Sequence, residues 1–121
     1  MGPDLEARWQ MTEDQDKGIL CRICSHRVTS HEEMLEKSGR HVHTFKNPTG
    51  ITYTIGCFKN APGCVSLGTA TDEFTWFTGY LWNFAVCSRC FSHLGWFYQS
   101  PGGDSFYGLI LNQLTNWSPY H

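Results

Sequence analysis

The chain has 121 residues, a net charge of −2, and charged and aromatic shares of 17% and 15%. That length suits one domain with a core of its own, with no space for a second folded module. Its scattered Lys and Arg make no footprint for a nucleic-acid backbone, and no apolar run reaches the roughly 20 residues that span a bilayer. Nucleic-acid and membrane partners are therefore not expected. The N-terminus lacks the basic, apolar, small-residue order of a secretory leader. A soluble protein is expected, either cytoplasmic or secreted.

Taken in order, residues 1–18 are polar and read as a mobile tail, with the domain proper over residues 19–121. Cys21-Arg22-Ile23-Cys24 spaces two thiols for a tight knuckle. Ser30 followed by Glu33 is a capping-box signal and predicts a short helical turn within residues 30–37, a loop being the alternative. Period-two alternation then predicts strands over residues 41–45 and 51–55, joined at Asn47-Pro48-Thr49-Gly50. A short strand over residues 65–68 follows. Aromatic and β-branched enrichment predicts strands over 82–86 and 94–99, flanking a second knuckle, Cys87-Ser88-Arg89-Cys90. Residues 100–104 make a turn, and 106–111 form a last apolar run, strand or helix. A mostly β domain results.

Two Cys-x-x-Cys clamps offer the four thiolates of a closed tetrahedral site, so Cys21, Cys24, Cys87 and Cys90 are read as ligands of one structural Zn²⁺. Two disulfides or a redox pair are the alternative. The long gap between clamps means that the metal joins two ends of the domain. Loop-closure cost grows only logarithmically with length, so such a clamp is tolerable. A closed four-thiolate site leaves no open coordination position and is not catalytic. Cys57 and Cys64 are left over, as a disulfide or as buried thiols. His41 and His43 alternate on one strand, where surface or core roles are set against a second metal. His93 is expected to bond a nearby backbone group.

The densest stretch is residues 74–98, with Trp76, Trp82 and Trp96 among other rings. Such rings fill a core or wall a slot for a cation or a small flat ring. Gly79 and Gly95 beside them favour the slot, since glycine permits close backbone approach.

Trp76-Phe77-x-Gly79-Tyr80-x-Trp82, Cys87-x-x-Cys90, Ser92-His93-Leu94-Gly95-Trp96, Asn47-Pro48 and Phe106-x-Gly108-Leu109 occur in one order. With these motifs, residues 19–114 resemble the thalidomide-binding (CULT) domain family of cereblon. The resemblance implies a β-tent, two antiparallel sheets meeting near a right angle and pinned by zinc. It implies a non-catalytic module that binds cyclic imides, such as glutarimide, succinimide, thalidomide-like ligands or imide-capped peptide C-termini. Trp76, Trp82 and Trp96 would be the cage walls and Tyr98 its base. The Phe74 carbonyl and Trp76 amide, flanking Thr75, would bond the imide edge, and Asn47 and Pro48 would touch its substituent.

Phe74 stands where vertebrate members carry a histidine, and resembles bacterial single-domain members there. One lost neutral hydrogen bond is worth about 0.5–1.5 kcal/mol, so weaker or retuned imide binding is expected. By the same resemblance, no ubiquitin-ligase adaptor is expected for this chain alone. Two other functions compete. A zinc-bearing methionine sulfoxide reductase would need Cys57 or Cys64 as its reactive thiol. A cage for quaternary ammonium or methyl-lysine would take counter-charge from Asp72 and Glu73.

Overall fold

The computed structural model describes residues 18–119. The tail expected over residues 1–18 lies outside them except for Gly18, which is buried and whose carbonyl accepts a hydrogen bond from Asn116 Nδ2 at 2.6 Å.

The described residues form nine strands: β1 (Ile19–Cys21), β2 (Arg27–Thr29), β3 (Val42–Lys46), β4 (Thr52–Phe58), β5 (Cys64–Thr71), β6 (Leu81–Cys87), β7 (His93–Gln99), β8 (Ser105–Ile110) and β9 (Leu114–Thr115). They form two antiparallel sheets, a small one ordered β2-β1-β9 and a six-stranded one ordered β3-β4-β8-β7-β6-β5. The mostly β, two-sheet architecture is the one expected. The last apolar run is a strand, ending in a 3₁₀ turn at Leu111–Gln113.

Several local expectations change. β5 runs eight residues where four were expected, because pairing with β6 carries it past Gly68 through a register shift between Leu67 and Thr71. β1 was not anticipated as a strand, and neither were β2 and β9. Each is two or three residues long, too short to show an alternation, and β2 and β9 exist through pairing with β1. His31–Glu33 is a single 3₁₀ turn after Ser30, and no capping box forms. The Glu33 carboxylate instead accepts from Asn60 Nδ2 at 2.8 Å.

The turn between β3 and β4 is built by Asn47, whose Oδ1 accepts from the backbone amides of Thr49 and Ile51 at 3.1 and 2.8 Å. This is an Asx-type turn, in which the side chain substitutes for a backbone acceptor.

Strand alternation gives the large sheet two unlike faces. Phe58, Ala85 and Leu109 face the small sheet, packing with Ile19, Val28 and Leu114. Ile55, Cys57, Tyr98, Phe106 and Ile110 face the other way and pack under Phe77, from the loop between β5 and β6.

Gly95 holds β7 against β8. A Cβ there would fall on the Gly108 carbonyl oxygen and lie 2.9 Å from Leu109 Cα, at a φ of +154°. The close approach expected of Gly95 is thus to the neighbouring strand. Gly79 has nothing within 4 Å of a built Cβ; its φ of +90° is what requires glycine. Gly95→Ala is expected to destabilise the protein by about 2–4 kcal/mol, through overpacking against backbone that cannot yield. Urea unfolding of the two proteins checks this.

Candidate functional site

The loop over residues 72–80 lays its rings on the second face of the large sheet. Trp76 stacks on Phe45 with centroids 4.9 Å apart and meets Trp96 edge-on at 4.8 Å. Phe77 meets Tyr98 and Phe106 edge-on at 4.9 and 5.0 Å. Such edge-to-face pairs add about 0.5–1.5 kcal/mol each beyond the area they bury. The loop is therefore seated by its aromatic side chains.

Between Trp76, Trp82 and Trp96 lies a cavity of about 270 Å³. Of the residues expected at a binding site, Asn47, Pro48, Phe74, Trp76, Trp82, Trp96 and Tyr98 line it. Thr75 does not. Its hydroxyl turns back into the loop, 3.3 Å from the Phe77 carbonyl and 3.4 Å from the Phe77 amide. Tyr53, Phe84 and His93 complete the lining and were not anticipated. Tyr53 shares the face of Ile55 and Cys57 on β4, and Phe84 lies two residues from Trp82 on β6, so period two alone could have found both. His93 pairs with Val86 across a register shift between Ala85 and Val86, which hides its face from any count of residues.

The polar inventory of the cavity is small. Trp82 Nε1 donates to the Glu73 carbonyl at 2.8 Å, which sets that ring as a wall. His93 Nε2 lies 2.9 Å from the Gly95 carbonyl, an obligate acceptor, so Nε2 carries the proton and Nδ1 is left as an acceptor. Burial holds this imidazole below its ordinary pKa, and so neutral at pH 7. Burial also pushes the Tyr98 phenol above its usual range, so that its hydroxyl keeps its proton. Among the described residues, neither the Phe74 carbonyl nor the Trp76 amide has an intramolecular hydrogen-bond partner. Phe74 itself is 70% exposed at a φ of +56°, a left-handed backbone that is costly for a residue with a side chain. The three tryptophans are not equivalent, since Trp96 is only 8% exposed and belongs to the core, whereas Trp76 and Trp82 are half-buried.

The cysteine cluster lies on the sheet's other face. Cys21 ends β1 in the small sheet and Cys87 ends β6 in the large one. Their partners sit in knuckle turns, in which the Ser25 amide donates to the Cys21 carbonyl at 2.8 Å and the Phe91 amide to the Cys87 carbonyl at 2.9 Å. All four Sγ atoms lie within 4.8 Å of one another, with Cys21 to Cys90 at 3.7 Å and Cys24 to Cys87 at 3.6 Å. Disulfide sulfurs would be about 2.05 Å apart. Sulfurs at about 2.3 Å from a tetrahedral zinc ion would be about 3.8 Å apart, so this donor set fits one such metal. The Ser92 hydroxyl, 3.0 Å from Cys90 Sγ, and the Ser92 backbone hold that thiol below its ordinary pKa, whereas the Cys21 and Cys24 thiols are held above theirs.

Cys57 and Cys64 are free thiols on β4 and β5, and burial pushes both up to about 12. Neither lines the cavity. His41 offers no free nitrogen to a second metal, because Nδ1 bonds the Leu35 carbonyl at 3.1 Å and Nε2 accepts from Trp117 Nε1 at 3.2 Å.

No family model matches the chain. It is 27% identical over 112 residues to protein cereblon of Danio rerio, which covers 88% of this chain and 26% of that protein. Over 115 residues it is 26% identical to protein cereblon of Drosophila melanogaster, covering 85% of this chain and 20% of that protein. The chain carries a cereblon-like domain. It spans about a quarter or less of the curated relatives it matches. Among the described residues of this cereblon-like domain, no helix is long and apolar enough to cross a membrane.

The cereblon-like domain is expected to take up one metal ion per chain. Cys24→Ser is expected to lose it and to lower the melting temperature by roughly 10 °C or more, since bound metal adds its binding free energy to folding. Elemental analysis and thermal unfolding of both proteins check this together.

Proposed function

We propose that this domain is a non-catalytic binding module for small, flat cyclic imides, with Zn²⁺ in the four-cysteine cluster acting only as a structural clamp. The observation that carries the reading is the cavity itself. Trp76, Trp82 and Trp96 line it, and among the described residues the main chain next to Trp76 has an acceptor, the Phe74 carbonyl, and a donor, the Trp76 amide, without intramolecular partners. An imide ring presents a carbonyl, N–H, carbonyl edge between two apolar faces. The N–H would donate to the Phe74 carbonyl, one imide oxygen would accept from the Trp76 amide, and the ring would lie among the indoles. About 270 Å³ falls just below the roughly 300–1,000 Å³ of drug-sized pockets. It therefore suits a single ring, with any substituent projecting past Asn47, Pro48 and Phe74. An imide-capped peptide C-terminus presents the same group.

The competing functions find less support. A sulfoxide reductase needs an accessible, activated thiol at the substrate site, whereas Cys57 and Cys64 are 0% and 8% exposed with their thiols pushed up by burial. A quaternary-ammonium cage gains from a carboxylate in its wall, and neither Asp72 nor Glu73 lines this one.

Titration with glutarimide, followed by tryptophan fluorescence, is expected to saturate below millimolar ligand. Trp82→Ala is expected to weaken binding about tenfold or more, because the lost wall is a large aromatic anchor. An unchanged spectrum at millimolar glutarimide, or a preference for a trimethyl-lysine peptide, would overturn the reading.

A further inference from the structure

The loop over residues 72–80 supplies Phe74 and Trp76 to the cavity, so whatever seats this loop determines the cavity's shape. Its hydrogen bonds are nearly all internal. The Thr75 amide donates to the Asp72 carbonyl, the Tyr80 amide to the Phe77 carbonyl, the Glu73 amide to the Thr71 hydroxyl, and Trp82 Nε1 to the Glu73 carbonyl. Together with the Thr75 hydroxyl pairing to Phe77, these stay within residues 71–82. Among the described residues, one side chain alone carries hydrogen bonds from this loop to the rest of the protein, and it is Tyr80. Its hydroxyl donates to Asp104 Oδ2 and accepts from Lys37 Nζ at 2.9 Å. Lys37 Nζ also pairs with Asp104 Oδ2 at 2.9 Å and lies 5.0 Å over the Tyr80 ring and 4.7 Å over the Phe106 ring.

Both partners are held by tight turns of their own. Lys37 and Arg40 exchange two backbone hydrogen bonds, at 2.9 and 3.2 Å, around Ser38 and Gly39, both at positive φ. That pattern defines a compact primed turn. Asp104 closes a turn in which its carbonyl accepts from the Ser100 amide at 2.8 Å and its amide donates to Ser100 Oγ at 3.2 Å. The Lys37 side chain is only 22% exposed, so its charge is shielded from solvent on the aromatic faces beneath it. Ring packing on Phe45, Tyr98 and Phe106 can be satisfied by offset-stacked and edge-to-face arrangements alike. A three-member polar contact between separate chain segments fixes a direction.

We propose that Lys37, Tyr80 and Asp104 form a latch that positions the 72–80 loop, and that they are positioning residues for the ring-ligand site although none of them lines it. The affinity part of this inference rests on the imide reading; the loop-ordering part does not. Without the latch, the free loop samples displaced positions, and binding must first order it, which lowers affinity even though every group that touches the ligand is still in place.

The test compares the full chain with Tyr80→Phe, Lys37→Met, Asp104→Ala and Asp104→Asn, by amide hydrogen exchange of the free proteins and by glutarimide titration. Tyr80→Phe keeps the ring on Phe106, and Asp104 lies at a surface turn, so folded variants are to hand. In the first three variants, exchange at residues 75–80 is expected to speed about three- to fivefold, and glutarimide affinity to fall by a similar factor, the scale of a partly exposed ionic contact. Exchange in β4, β7 and β8 should stay unchanged, and Asp104→Asn, which retains an acceptor, should recover part of the loss. Unchanged loop exchange in all variants would sink the proposal, as would an even acceleration across the sheets, which marks a merely structural role. Faster loop exchange in a protein whose wild type ignores glutarimide would uphold the latch and remove the imide reading.

Discussion

Four sulfur atoms meet where the two sheets meet. Cys21 closes the first strand of the small sheet and Cys87 closes the sixth strand, in the large one, with each knuckle partner three residues further along. The small sheet has only three strands, each of two or three residues. Strands that short are marginal alone and depend on what they pack against. Their register on the large sheet is set by the core around Cys21 and Cys87 and by the convergence of the thiols. The hydrophobic cluster that includes Ile19, Phe58, Leu94 and Leu114 surrounds the same point. Packing of the small sheet around this one point leaves the opposite face of the large sheet free for another task.

That task is carried by an aromatic layer that is both core and wall. Trp96 and Tyr98 alternate to the same face of β7, where they are buried beside Phe106 and yet line the cavity. The cavity is therefore a gap in a packed layer, bounded by residues whose rotamers the core already dictates. Walls fixed by core packing lower the ordering cost for any ligand that enters such a cavity. The remaining wall is the 72–80 loop, which reaches that layer from one side and brings Trp76, Phe77 and the left-handed Phe74 with it. Division of labour follows from topology. Strands hold the floor, and a loop between neighbouring strands closes the side.

Much of this was legible in the chain's residues. Two Cys-x-x-Cys pairs implied a four-thiolate cluster, because few other arrangements call for two pairs of thiols at that spacing. Alternation over residues 41–45 and 51–55, and aromatic and β-branched enrichment over 82–86 and 94–99, implied the main strands to within a few residues, since period two is a direct image of the pleat and such side chains suit its surface. Illegible parts share a cause as well. β2 and β9 carry too few residues for any period, and the length of β5 is dictated by its partner. Ser30 and Glu33 met a local capping rule, yet Glu33 found a better partner in Asn60, 27 residues away. Local signals fail where a distant group offers a competing bond.

Taken alone, the sequence determined the class of fold, the four cysteines that cluster and the aromatic character of the cavity, because these depend on residue type and short spacing. Tertiary structure decided the rest. It placed Tyr53, Phe84 and His93 in the cavity, turned Thr75 out of it, and assigned Gly95 to strand contact rather than to a ligand. It also brought Lys37, Tyr80 and Asp104 together from turns and a loop that are 24 to 67 residues apart. Such meetings depend on register shifts and on the crossing of segments, and those are properties of the whole packed chain, which no window of residues contains.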